Sequence, residues 1–190
     1  MEAFFVSTGV VALAEIGDKT QLLAFILAAR FKKPVPIVLG ILCATLLNHG
    51  LAGALGAWIT SVVNPQAMRW GLGLSFLAMA AWTLVPDAIE EEELQVAKRF
   101  GVFGATLVTF FLAEMGDKTQ IATVALAAHY GAPLLVVAGT TVGMLLADVP
   151  AVFVGNKFAA RIPMKLVHGI AAAIFAGMGL LTLLQVDKLF

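Results

Sequence analysis

AEIGDKTQ, residues Ala14–Gln21, sets Glu15, Asp18 and Lys19 within five positions of a mostly apolar run from Phe4 to Ala29. AEMGDKTQ, Ala113–Gln120, repeats the pattern in a second apolar run. A carboxylate at the centre of a lipid-embedded helix costs on the order of 3 kcal/mol even on the lenient insertion scale. With Asp148 the chain carries five such acids: Glu15, Asp18, Glu114, Asp117 and Asp148. Structural pairing alone rarely calls for so many.

The surrounding composition is that of a membrane protein. Hydrophobic residues make up 61% of the 190 and charged ones only 13%, and apolar runs of about twenty residues recur along the chain. Lys plus Arg and Asp plus Glu balance at twelve each, so net charge points to no nucleic-acid partner. Cys43 is the single cysteine and reads as a small apolar filler. No basic residue precedes the first apolar run and Glu15 interrupts it, so that run is expected to be a retained helix rather than a signal peptide. The longest polar segment, Pro86 to about Phe100, is too short for a soluble domain, and residues 1–190 read as one membrane domain.

Six spans are expected, at about 3–29, 35–60, 67–86, 101–128, 133–155 and 164–186. Arg30, Lys32, Lys33, Lys98, Arg99, Lys157, Arg161 and Lys165 fall on the side of the first, third and fifth loops. Arg69 and Lys188 fall on the other. Eight against two places those loops in the cytoplasm and both termini outside, as in a bacterial inner-membrane protein.

LAEIGDKTQ and LAEMGDKTQ lie 99 residues apart, and the register persists beyond them. Leu27, Ala28 and Ala29 match Leu126, Ala127 and Ala128; Pro34 matches Pro133, Gly40 matches Gly139 and Gly56 matches Gly155. The expected architecture is therefore an all-α membrane protein of six transmembrane helices in two repeats, 1–86 and 101–190, joined by a cytoplasmic loop at 87–100. Three spans reverse the direction of the chain, so the second copy enters from the opposite face, giving the inverted repeat of many secondary transporters.

Glu15 lies about twelve residues into its span, roughly 18 Å along a helix, and Glu114 lies as deep from the other side. Both reach the midplane. On a continuous helix Glu15, Asp18 and Gln21 fall on one stripe, as do Glu114, Asp117 and Gln120. Gly17 permits either a close helix contact or a local break that frees backbone carbonyls. Two facing stripes form an oxygen cage suited to a hard divalent cation, Ca(II) or Mn(II). Neither motif carries Cys or His, which argues against zinc or copper. Five acids against Lys19 and Lys118 leave three negative charges. Crowded carboxylates cannot all stay ionised, so protons compete with metal for the same oxygens, the simplest chemistry of an antiporter. The lysines read as partial neutralisers of the empty site, as side chains that snorkel towards an interface, or as helix-pairing groups.

The twin Glu-x-Gly-Asp-Lys-Thr motifs, each opening a three-span repeat, resemble those of the calcium/manganese cation:proton exchanger family, which includes bacterial manganese exporters and Golgi calcium and manganese transporters. The resemblance covers essentially the whole chain. It implies export of Mn(II) or Ca(II) against protons, no resident cofactor and no enzymatic activity. It carries to Glu15, Gly17, Asp18, Lys19, Thr20, Glu114, Gly116, Asp117, Lys118 and Thr119. The lipid bilayer is the remaining expected partner, and a homo-oligomer is admitted.

Asp148 sits mid-span before Pro150, whose ring is expected to open the helix near Leu146, and its counterpart in the first repeat is His49, beside Asn48. Asp148 and Asn48 join Glu15, Asp18, Gln21, Glu114, Asp117 and Gln120 as candidate metal ligands, while His49 reads more readily as a helix-helix hydrogen bonder. Thr20 and Thr119 read as backbone bonders. His129 and His168 read as structural or solvated, and Glu90–Glu93 as a solvated loop. Gly50, Gly53, Gly56, Gly169, Gly177 and Gly179 read as close helix contacts. Three rival functions are a passive divalent channel, an amino-acid exporter and an intramembrane aspartyl protease. The protease needs two aspartates sharing a proton, and the lysine after each Asp-containing motif offers a competing partner.

Overall fold

The computed structural model describes residues 1–85, 101–154 and 164–184, and the described residues are helical throughout with short connections. In chain order the helices are α1 Glu2–Glu15, α2 Lys19–Phe31, α3 Pro34–Val62, α4 Pro65–Thr83, α5 Val102–Glu114, α6 Lys118–Tyr130, α7 Pro133–Val154 and α8 Met164–Leu184. Pro34–Val62, Pro133–Phe153 and Lys165–Leu184 are long and apolar enough to cross a membrane. The loop expected at 87–100, the run Glu90–Glu93, Gly155, and the basic residues Lys98, Arg99, Lys157, Arg161 and Lys188 lie outside the described residues.

The duplication read from the sequence reappears element by element. Helices α2, α3 and α4 begin at Lys19, Pro34 and Pro65, and α6, α7 and α8 begin 99 residues later at Lys118, Pro133 and Met164. Pro34, Pro65 and Pro133 each open a helix, where proline's missing N–H costs nothing and its φ is already helical.

The stretches expected as single spans at 3–29 and 101–128 are each two half-helices, so the continuous stripe of Glu15, Asp18 and Gln21 does not form. α1 ends at Glu15 and α2 starts at Lys19; α5 ends at Glu114 and α6 starts at Lys118. Gly17 and Gly116 adopt φ of +87° and +78°, a left-handed conformation that L side chains resist. Ile16 (φ −63°, ψ 114°) and Met115 (φ −68°, ψ 116°) turn the chain out of the helix. Asp18 and Asp117 then cap the second half-helices in extended conformation. Of the two roles open to Gly17, the break is the one adopted. The opening expected at Pro150 does not occur, since α7 runs unbroken through it.

The repeats interlock. α1 packs along α7, and its counterpart α5 packs along α3. A side chain at Gly139 would run into the Phe4 carbonyl and Ser7, and one at Gly40 into the Phe103 carbonyl and Thr106, which are the same contacts shifted by 99 residues. Gly53 and Gly56 likewise let α3 approach α7 and α6, and Gly179 lets α8 approach Gly73 of α4. Gly50, Gly169 and Gly177 face open space instead. Each repeat thus buries its first helix against the other repeat's second, which brings both breaks to the centre.

Candidate metal centre

At each break, the half-helix that follows holds the glutamate that ended the one before. Thr20 Oγ1 donates to Glu15 Oε2 at 2.7 Å, and Thr119 Oγ1 donates to Glu114 Oε2 at 3.1 Å. Both threonines, expected to bond backbone, instead orient the carboxylates. Each glutamate keeps its other oxygen, Oε1, buried and without a hydrogen-bond partner. Such an oxygen is costly to leave unmatched in a dry interior.

Each break is also held by its glutamine. The Gly17 amide donates to Gln21 Oε1 at 3.0 Å, and the Gly116 amide donates to Gln120 Oε1 at 2.8 Å. Gln21 Nε2 reaches the Ala147 carbonyl at 2.9 Å, while Gln120 Nε2 reaches Asn48 Oδ1 at 3.4 Å. Asn48 and Ala147 are counterparts in the repeat, so one contact uses a side chain where the other uses backbone. Asn48 Nδ2 also donates to the Phe111 carbonyl at 3.0 Å. Gln21, Gln120 and Asn48, all expected as ligands, therefore brace the breaks in this conformation.

The lysines pair across the repeats. Lys118 Nζ lies 2.8 Å from Asp18 Oδ1, with both side chains almost wholly buried. Lys19 Nζ lies 3.9 Å from Asp117 Oδ1 and is partly exposed. Of the roles read from the sequence, each lysine fills two: it ties one repeat to the other and stands against one aspartate. Glu15, Glu114 and Asp148 are then the site's unbalanced acids. Asp148 is buried and neither of its oxygens has a hydrogen-bond partner.

Glu15, Glu114 and Asp117 each offer one oxygen, and these lie within 4.8 Å of one another. Two oxygens on opposite sides of a calcium ion are about 4.6–5.2 Å apart, so three oxygens no farther apart than this are close enough to share one divalent cation. The C-terminal ends of α1 and α5 add the negative end of the helix dipole beside them. His49 is buried with neither ring nitrogen partnered. His168, read from the sequence as structural or solvated, takes a structural place whose partner that reading did not name: its Nε2 lies 2.9 Å from the Ile16 carbonyl inside the first break. A carbonyl only accepts, so Nε2 carries the proton. Nothing local in the sequence of α8 marks this contact, which appears only when α8 is laid against α1.

Buried acids from two duplicated, interrupted helices thus converge on one cluster of a size that could hold a cation. The profile of the family described as Divalent cation/proton antiporter GDT1 matches residues 3–91 and 102–188. The chain belongs to that family. It is 48% identical to a "Putative manganese exporter" of Vibrio cholerae over 96% of this chain and 90% of the relative. A GDT1-like protein of Synechocystis is 31% identical, over 92% and 93% of the two chains. GDT1-like protein 4 of Oryza sativa subsp. indica is 28% identical over 94% of this chain and 72% of its own length. No solved structure matches the chain.

Proposed function

We propose that this chain moves Mn(II) or Ca(II) out of the cytoplasm in exchange for protons, through a single site between the two breaks. The observation that carries this reading is the buried triad of Glu15, Glu114 and Asp117, with an unpartnered oxygen on each glutamate. The name of the Vibrio relative favours manganese as cargo.

Glu15 Oε1, Glu114 Oε1 and a carboxylate oxygen of Asp117 bind the cation. Thr20 and Thr119 keep the opposite glutamate oxygens occupied, so each glutamate presents one oxygen in a set direction. Asp18 and Asp148 complete the charge around the ion, and Gln21, Gln120 and Asn48 hold the backbone that positions it. With the aspartates at 18 and 117 matched by lysine, Glu15, Glu114 and Asp148 hold three negative charges between them. A divalent ion or protons relieve that charge, and each displaces the other because a protonated carboxyl is a poor ligand.

The architecture is six membrane passages in two inverted three-helix repeats, the first passage of each being a pair of half-helices. The matching break geometry and the swapped packing of α1 on α7 and α5 on α3 support it. Opening the site to one face and then the other turns competition for the same oxygens into exchange. The side carrying the eight basic loop residues faces the cytoplasm of a bacterial inner membrane, with both termini outside. The test is ion uptake into inverted membrane vesicles carrying an imposed proton gradient, with Mn(II) and Ca(II) in separate runs. Gradient-driven uptake of either ion is expected; uptake down the ion's own gradient that ignores the proton gradient would identify a channel.

A further inference from the structure

The two third helices of the repeats do not sit symmetrically on the core. α8 packs against α1, the half-helix before the first break. Its counterpart α4 packs against α6, the half-helix after the second break. α4 and α8 are themselves held together where Gly73 meets Gly179 and Leu183, so close that a side chain at Gly73 or Gly179 would clash. They form a pair set off-centre over two related breaks.

The consequence shows at His168. It closes α8 onto the first break by donating to the Ile16 carbonyl at 2.9 Å. The residue 99 positions earlier, in the same register of α4, is Arg69, another side chain with donors to give. Arg69 makes no matching closure here: its Nε is buried without a hydrogen-bond partner, and its guanidinium rests 5.5 Å from the ring of neighbouring Trp70. The counterpart of Ile16 is Met115, 55% exposed where Ile16 is half-buried. Beside α4 lies an apolar cavity of about 300 Å³, lined from α4 by Met68, Leu72 and Ser75 and from α6 by Ile121, Val124 and Ala128. That cavity gives α4 room to shift.

We propose that His168 and Arg69 are alternate latches: His168 holds the α4–α8 pair over the first break in the conformation described here, and Arg69 holds it over the second, by donating to the Met115 carbonyl, in the opposite one. Both are positioning residues that act on the breaks and touch no ion. The inference rests on the alternating exchange proposed above. It differs from that reading in naming the moving pair and the two contacts that select its position. Because the carbonyls are backbone groups, each latch needs only a donor of suitable length, which histidine and arginine both supply.

The test reads conformation directly, without metal and at fixed pH. Full-length protein in a Cys43→Ala background carries either Ile16→Cys or Met115→Cys, and the rate of modification by a water-soluble maleimide is measured in detergent. His168→Leu is expected to speed labelling at position 16 and slow it at position 115, and Arg69→Met is expected to do the reverse. Each shift should be about fivefold, the population weight of one hydrogen bond. His168→Gln, which restores a donor, should return the rates toward the parent. Changes of the same sign in both variants, or none in either, overturn the proposal. If His168→Leu does not fold, Arg69→Met alone decides: unchanged or faster labelling at position 16 refutes it. Because no ion moves in this assay, opposite shifts can be observed even if the vesicle experiment finds no proton coupling, and the two failures stay distinct.

Discussion

Removing Lys118 should destabilise the protein far more than removing Lys19, although the two occupy equivalent places in the repeat. Lys118 and Asp18 form a contact of 2.8 Å with side chains 2% and 1% exposed. Truncating one partner of such a pair strands a charge in the interior and costs about 3–5 kcal/mol. Lys19 and Asp117 stand 3.9 Å apart, and Lys19 is 18% exposed. The wider gap weakens the pair, and Asp117 keeps the Thr119 amide and hydroxyl as donors, so losing Lys19 should cost only about 1 kcal/mol. At about 2–4 °C per kcal/mol for a chain of this size, Lys118→Met should lower the melting temperature by about 6–20 °C and Lys19→Met by no more than about 4 °C. Intrinsic fluorescence of Trp58, Trp70 and Trp82 during heating in detergent provides the assay. Asp18→Asn added to Lys118→Met removes the stranded charge and should recover at least half of the loss. Equal losses for the two lysines, or no recovery in the double variant, would refute the claim that these pairs differ by burial and that each lysine cancels the aspartate of the other repeat.

Glu15→Gln and Glu114→Gln should each abolish divalent transport in vesicles while leaving the melting temperature within a few degrees; wild-type rates in both folded variants would remove the glutamates from the site. Gly17→Ala and Gly116→Ala force a side chain into positive φ at a cost of roughly 1–2 kcal/mol each. Both should slow transport and lower thermal stability, and an unchanged rate and melting curve would mean the breaks relax without consequence. With Cys43 replaced by Ala, a cysteine near Glu92 should be labelled only from the cytoplasm and one near Lys188 only from outside. Labelling of both from one side would end the inverted-repeat topology.

The duplication was legible because the two octapeptides differ only at Ile16 and Met115, and the five acids stood out because lipid penalises them. Gly17 announced a choice between packing and breaking without deciding it. The decision depends on what the freed groups meet, namely Gln21 and Gln120 folding back onto the glycine amides. Helical periodicity assigned Glu15, Asp18 and Gln21 to one stripe, which fails once the helix ends between them. Lys118 on Asp18 is a contact between residues 100 positions apart, which no local spacing in the sequence marks. Pro150 was expected to open α7, yet the helix absorbs it. His168 carried no local signal at all, since its meaning comes from the Ile16 carbonyl on another helix.

The central claim is that metal and protons compete for one set of carboxylate oxygens around Glu15, Glu114 and Asp117. Calorimetric titration of the purified protein with Mn(II) and Ca(II), at several pH values and in buffers of different ionisation enthalpy, measures affinity and proton release together. Metal must expel protons to reach the oxygens, so binding should release at least one proton per ion, and affinity should weaken as pH falls and protons refill the site. Glu114→Gln, which removes one competing group, should reduce both the affinity and the number of protons released. Binding that releases no protons in any buffer, with an affinity that does not change with pH, would contradict the account.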